Sequence, residues 1–112
     1  MKSTVITCVY AQTPELEAGA IRSLDATENA FPDAQKIAGL DVSSPGIDAW
    51  LERHHWEVIR PTGPKPPRMR ELLVAGITAA TGEYVWTIEH DAVILPGTRE
   101  ACEEALARHP RI

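Results

Sequence analysis

The chain has 112 residues, of which 44% are hydrophobic and 24% charged, and its net charge is -5. Such a chain makes one globular domain, residues 1–112, with a modest core. The acidic balance argues against nucleic acid as the main partner, because phosphate backbones are bound by a basic face. No apolar run approaches the roughly 18 residues needed to span a bilayer.

The N-terminal Met1-Lys2-Ser3-Thr4 leads into a short strand-like run. It lacks the longer apolar stretch and cleavage site of a signal peptide. Cys8 lies in the first apolar run and Cys102 in the last helix. Two distant cysteines in separate elements read as small buried hydrophobes in a reducing compartment, not as a disulfide framework. A cytoplasmic location is therefore expected.

Taken in chain order, Thr4 to Tyr10 is β-branched and bounded by polar residues, which predicts a first strand. Thr13-Pro14-Glu15 is a helix start, with Thr as N-cap, Pro at the first position and an acid in the first turn. Leu16, Ala20 and Leu24 share one face of that helix. Gln35 to Leu40 reads as a second strand ending at Asp41. Ser44-Pro45-Gly46 opens a second helix carrying Ile47, Trp50 and Leu51. Trp56 to Ile59 is a short third strand.

Pro61 to Pro67 holds four prolines and a glycine and reads as a stiff loop. A third helix follows, with Met69, Leu72, Leu73, Gly76, Ile77 and Ala80 on one stripe and Gly82 as its C′ residue. Glu83 to Ile88 predicts a fourth strand. Pro96-Gly97-Thr98 leads into a fourth helix with Ala101, Ala105 and Leu106 on its stripe. The βαβαβαβα alternation predicts a parallel sheet with right-handed crossovers and helices on both faces.

A parallel sheet brings all four strand ends to one edge, where ligands of open α/β sheets bind. That edge holds Tyr10-Ala11-Gln12, then Asp41-Val42-Ser43-Ser44, the proline loop, and Glu89-His90-Asp91. Two carboxylates one residue apart suit a hard divalent cation that keeps waters and takes phosphate oxygens. They are also compatible with a strand end emerging into solvent. Asp41 suits a hydrogen bond from a base or ribose, or a turn. Ser44 suits an N-cap.

As the middle residue of a strand end, His90 is expected to face away from both acids and to pack or touch substrate. Adjacent His54 and His55 point about 100° apart on a helix and read as a C-terminal pair rather than a metal site. Lys65, Arg68 and Arg70 form a small basic cluster that suits a diphosphate or plain solvation. There is no P-loop, Gly-x-Gly-x-x-Gly fingerprint or nucleophile elbow.

The last third carries Gly76-Ile77, Ala80 and Gly82-Glu83-Tyr84-Val85, then Glu89-His90-Asp91, Val93-Ile94-Leu95 and Pro96-Gly97. With the strand-end turn at Tyr10 and Asp41-Val42-Ser43-Ser44 before it, this order resembles the family-2 glycosyltransferases with a GT-A fold. The last third is the specific part; the first half is generic to nucleotide-binding α/β domains.

The resemblance implies the N-terminal, donor-binding half of such an enzyme, a Rossmann-like α/β GT-A half-domain with strand order 3-2-1-4 and helices on both faces. It implies a nucleotide-diphosphate sugar as ligand, a UDP-sugar first, with Mn²⁺ or Mg²⁺ on the diphosphate. Asp91 takes the metal position and Glu89 the first acid position, near the ribose or a metal-bound water. Asp41 takes the base-recognition position, with Ser43 in the loop after it. Tyr10, Ala11 and Gln12 form one wall of the nucleoside pocket.

Glu89 departs from the family's usual Asp. Leu73 and Val74 stand where Arg-Asn is common, and Arg70, one turn earlier, is the available substitute. In the family the acceptor half and its base follow the metal motif, whereas here Ile112 comes after one helix. His90 is the nearby catalytic alternative. Slow or absent turnover is expected, and a half-domain with an open sheet edge is expected to form a homodimer. Two other classes stay open: a non-catalytic binding or assembly module, and a metal-dependent nucleotidyl or phosphoryl enzyme using the same acidic rim.

Overall fold

The computed structural model describes residues 2–109. Met1 and residues 110–112, which include the closing Ile112, lie outside the described residues. The elements run β1 (Ser3–Tyr10), α1 (Pro14–Ala30), β2 (Gln35–Val42), α2 (Pro45–Arg53), β3 (Glu57–Ile59), α3 (Met69–Ala79), β4 (Tyr84–Thr87) and α4 (Thr98–Arg108). The four strands form one parallel sheet in the order β3-β2-β1-β4. This is the parallel α/β architecture expected from the alternation of elements, in the strand order implied by the resemblance.

β1 is central and its residues 3–9 are buried on both faces, which is why its apolar run is nearly continuous. On one face Val9, Ala38 and Leu40 pack with Ala20 and Leu24 of α1 and with Ile47, Trp50 and Leu51 of α2. On the other, Ile6, Cys8 and Ile37 pack with Leu72 of α3. Both expected N-caps form. The Thr13 hydroxyl accepts from the Leu16 amide at 3.2 Å, and the Ser44 hydroxyl from that of Ile47 at 3.4 Å.

Several local expectations are corrected. β3 starts at Glu57, and Trp56 is buried with Trp50 instead of extending the strand. α3 ends at Ala79, and Ala80 caps it in an extended conformation. Gly82 is therefore not a left-handed cap. A Cβ there would stand 2.7 Å from the Ser3 carbonyl carbon and the Thr4 amide nitrogen, so Gly82 serves close backbone approach.

The α3 stripe is only partly inside: Leu72 and Gly76 are buried, while Met69 and Ile77 are exposed. Leu16, at the start of α1, is likewise on the surface. α4 buries no side chain, and Ala101 is exposed. Arg99 fastens that helix, donating to Asp33 at 2.7 Å, to the Ala30 carbonyl at 3.0 Å and to Glu103 at 2.7 Å.

Candidate functional site

The carboxyl edge of the sheet is built in two parts. The first is the end of the β1–β2 ladder. Their register shifts between Val9 and Tyr10, and the Ala11 amide donates to the Val42 carbonyl at 2.9 Å. Beyond it Tyr10 is half-buried, Ala11 buried and Gln12 exposed. The Ser43 hydroxyl donates to Asp48 at 2.7 Å, which ties it to the first turn of α2.

Asp41 sits on the α3 side of β2, and its side chain is 1% exposed. One carboxylate oxygen accepts from the Arg68 amide and the other from Arg68 Nε, each at 2.9 Å. The same guanidinium donates to the Asp41 carbonyl and, at 3.0 Å, to the Gly63 carbonyl. A buried carboxylate requires such pairing.

Glu71 stitches the other end of the proline loop. Its carboxylate accepts from the Thr62 amide at 2.7 Å, the Gly63 amide at 3.0 Å and the Thr62 hydroxyl at 3.1 Å. The Thr62 amide, first among these donors, holds the Glu71 carboxyl below the usual carboxylate value. Two acids thus fix a loop whose prolines alone give it no hydrogen bonds. Of the basic cluster, Arg68 is the one engaged, while Lys65 and Arg70 are exposed.

The second part is the acidic segment. β4 stops at Thr87, although the Ile88 amide still donates to the Ile6 carbonyl at 3.0 Å. The chain then turns, and the Ala92 amide donates to the Glu89 carbonyl at 3.0 Å. Glu89-His90-Asp91 is therefore a turn and not a strand end. The period-two argument that set His90 opposite both acids does not apply to it. Glu89 and Asp91 are exposed, and His90 is half-buried.

The turn rims a cavity of about 340 Å³ with a floor of Ile6 and Cys8 and a wall of Met69 and Leu73. His90 lines it, and its Nδ1 is buried without a hydrogen-bond partner. Burial pushes the Cys8 thiol up, with the Asp41 charge adding to the effect, so the floor stays neutral.

The cavity gathers Glu89, His90 and Asp91; Tyr10, Ala11, Gln12, Asp41, Ser43 and Arg70 are not in its lining. Among the described residues no group of three or more His, Cys, Asp or Glu side chains could hold a metal ion. The chemistry available is two exposed hard oxygen donors on a turn, which fits a cation completing its shell with water and phosphate oxygens. His54 and His55 are accounted for otherwise. His54 stacks on Trp50 with ring centroids 3.9 Å apart, and its Nδ1 lies 2.6 Å from Glu28; His55 has a φ of 58°.

Sequence reasoning missed Arg68 as the partner of Asp41, and it missed Glu71 and Ser23. Arg68 and Glu71 had a signal, since charged residues beside a proline loop need acceptors and donors from it. Ser23 had a weaker one, a polar residue in the Ala20–Leu24 stripe.

No family model matches the chain, and no curated protein matches it in sequence. Solved structures do match. S. aureus TarS 1-349 superposes with a TM-score of 0.77 at 17% identity, covering 98% of this chain and 33% of that one. The chain has a Rossmann-like GT-A half-domain fold. The same TarS fragment in complex with UDP-GlcNAc gives a TM-score of 0.72 at 19% identity, covering 98% and 32%. A further TarS structure gives 0.73 at 16%, covering 98% and 20%. The chain thus spans about a third or less of the TarS chains it matches. No helix among the described residues is long and apolar enough to cross a membrane.

Proposed function

We propose that this chain binds a nucleotide-diphosphate sugar, a UDP-sugar first, as the donor-binding part of a family-2-like glycosyltransferase. One observation carries the reading. An exposed acidic turn stands over a cavity at the carboxyl edge of a sheet whose fold is that of TarS, and TarS has been solved with UDP-GlcNAc. Asp91 and Glu89 would hold Mn²⁺ or Mg²⁺ against the diphosphate. When bound, the cation neutralises charge on the leaving diphosphate. Tyr10, Ala11 and Gln12 would wall the nucleoside, and Arg70 would meet a phosphate. With both oxygens on Arg68, Asp41 acts on the base by holding Arg68 and the 61–67 loop behind it.

Calorimetry with UDP, with and without Mn²⁺, tests this. The parent is expected to bind UDP more tightly when Mn²⁺ is present, and Asp91→Ala to lose that gain. An Asp91→Ala protein that keeps the gain overturns the assignment.

A second reading, donor binding without turnover, is favoured by His90, whose Nδ1 is buried with no hydrogen-bond partner to orient the ring as a base. His90 is the base within the turn itself. Losing a general base costs about 10²–10⁴ in rate. A product assay with a panel of sugar nucleotides and acceptors, with His90→Ala alongside, separates the two readings. Efficient multi-turnover transfer lost in His90→Ala supports catalysis at His90; donor binding with neither transfer nor donor hydrolysis supports the binding module.

A further inference from the structure

Ser23 lies midway along α1 on its buried stripe, between Ala20 and Leu24, and has no exposed surface. Alanine there would form helix better and leave no polar group to satisfy. A serine in a helix usually returns its hydroxyl to its own backbone four residues earlier. This one reaches across to the acidic turn instead. Its Oγ lies 2.5 Å from the Ala92 carbonyl and 3.1 Å from the Glu89 carbonyl, with one proton shared between them.

Those carbonyls belong to the first and last residues of the turn that carries Glu89 and Asp91. Among the described residues, no other side chain hydrogen-bonds to residues 89–97. The last ladder bond of β4 is made by Ile88. Thr27, one turn further along the same buried face, has a hydroxyl without a partner. Burial on this face therefore does not by itself bring a hydroxyl to the turn.

We infer that Ser23 is a positioning residue that fixes the Glu89–Ala92 turn from behind and thereby sets the geometry of its two carboxylates. This rests on the reading of those carboxylates as the cation site. Partners that orient metal ligands from outside commonly change metal affinity by about 10–100-fold. A single shared hydrogen bond to a backbone turn belongs at the low end.

The experiment compares the parent chain, Ser23→Ala and, as control, Thr27→Val, which removes a buried hydroxyl of the same helix face. Each is titrated with UDP alone and with UDP plus Mn²⁺, and amide exchange is followed at Ala92 and along β1. Ser23→Ala is expected to lose about tenfold of the Mn²⁺-supported affinity while binding UDP alone like the parent. Its Ala92 amide should exchange faster with β1 unchanged, and Thr27→Val should match the parent in both. Equal losses with and without Mn²⁺, or equal losses in both variants, overturn the inference in favour of general loosening. So does an unchanged Ala92 amide in Ser23→Ala. If the parent shows no gain from Mn²⁺, the proposed function fails, and the Ala92 exchange still decides whether Ser23 holds the turn.

Discussion

The two faces of the sheet are finished to different degrees. The α1/α2 face holds ten mutually packed buried residues, among them Leu24, Ile47 and Trp50. The α3 face holds four, and beside them Met69, Val74, Ile77 and Val85 stand in solvent. β4 shows the contrast within four residues. Its register pairs Val5 with Trp86 and Thr4 with Val85, so the two side chains lie on opposite faces. Trp86 meets Phe31 edge-on at 5.0 Å, whereas Val85 is 42% exposed. The α1/α2 face, the more closed of the two, holds the larger buried cluster, although Val58 at its edge is 41% exposed, and the more open α3 face carries the cavity and the acidic turn. Exposed apolar side chains thus border the site on that face.

The largest expected effect tests the closed face. Leu24→Ala should destabilise by about 2–5 kcal/mol, since the side chain is fully enclosed and leaves a cavity. Ile77→Ser, on the open face, should change stability by less than about 0.5 kcal/mol. Urea unfolding of both measures the asymmetry. An Ile77→Ser cost equal to that of Leu24→Ala would show that the open face is covered in solution.

Next comes the ion pair that holds the open face together. Arg68→Ala leaves Asp41 buried and unpaired. We expect a loss of about 2–3 kcal/mol, below the 3–5 typical of a fully buried pair, because Arg68 keeps 19% of its side chain in solvent. Adding Asp41→Asn to Arg68→Ala should recover part of that loss, since the neutral amide no longer carries a stranded charge. A double-mutant cycle measures the coupling. Additive losses would remove the pair from the account of loop 61–67.

Both N-caps and the existence and order along the chain of all eight elements were legible in the sequence, because each rests on local chemistry; the sheet order came with the family resemblance. β-branched runs, Thr13-Pro14, Ser44-Pro45 and the proline loop each act within a few residues. What was not legible depends on partners distant in the chain. Asp41 and Arg68 are 27 residues apart, and Ser23 and Ala92 are 69 apart. Nothing in the local pattern around Glu89 separates a strand end from a turn, because the turn is set by Ser23 and by the end of the β1 ladder. Gly82 failed for a related reason: its neighbour is the backbone of β1, not the helix before it.

The open edge gives a prediction about assembly. Exposed Val85 beside the unpaired side of β4 favours pairing with a second copy, most simply about a two-fold axis. Light scattering at tens of micromolar should report a dimer, and Val85→Lys should return a monomer with the parent's fold. A monomeric parent at that concentration removes the dimer.

The smallest effect is a pH dependence that differs between the two sides. Arg99 holds the Asp33 carboxyl below its usual value, and this pair fastens α4 beside the end of α1. The Thr62 amide does the same for Glu71 under the proline loop. A carboxyl whose folded pKa is depressed binds its proton more readily once unfolded. Its stabilisation is therefore present above the ordinary carboxylate pKa of about 4 and is lost as the pH falls through the lower folded value. Parent and Glu71→Gln should differ most near neutral pH and converge in acid, and Asp33→Asn should behave likewise. Both groups are exposed, so the global effect is small, and the local one distinguishes them. In Glu71→Gln the Thr62 and Gly63 amides should exchange faster at pH 7 while α4 stays as in the parent; in Asp33→Asn the reverse holds. Loosening of α4 in Glu71→Gln would mean that the two sides of the sheet are coupled, and the contrast between a closed and an open face would then be one of surface and not of stability.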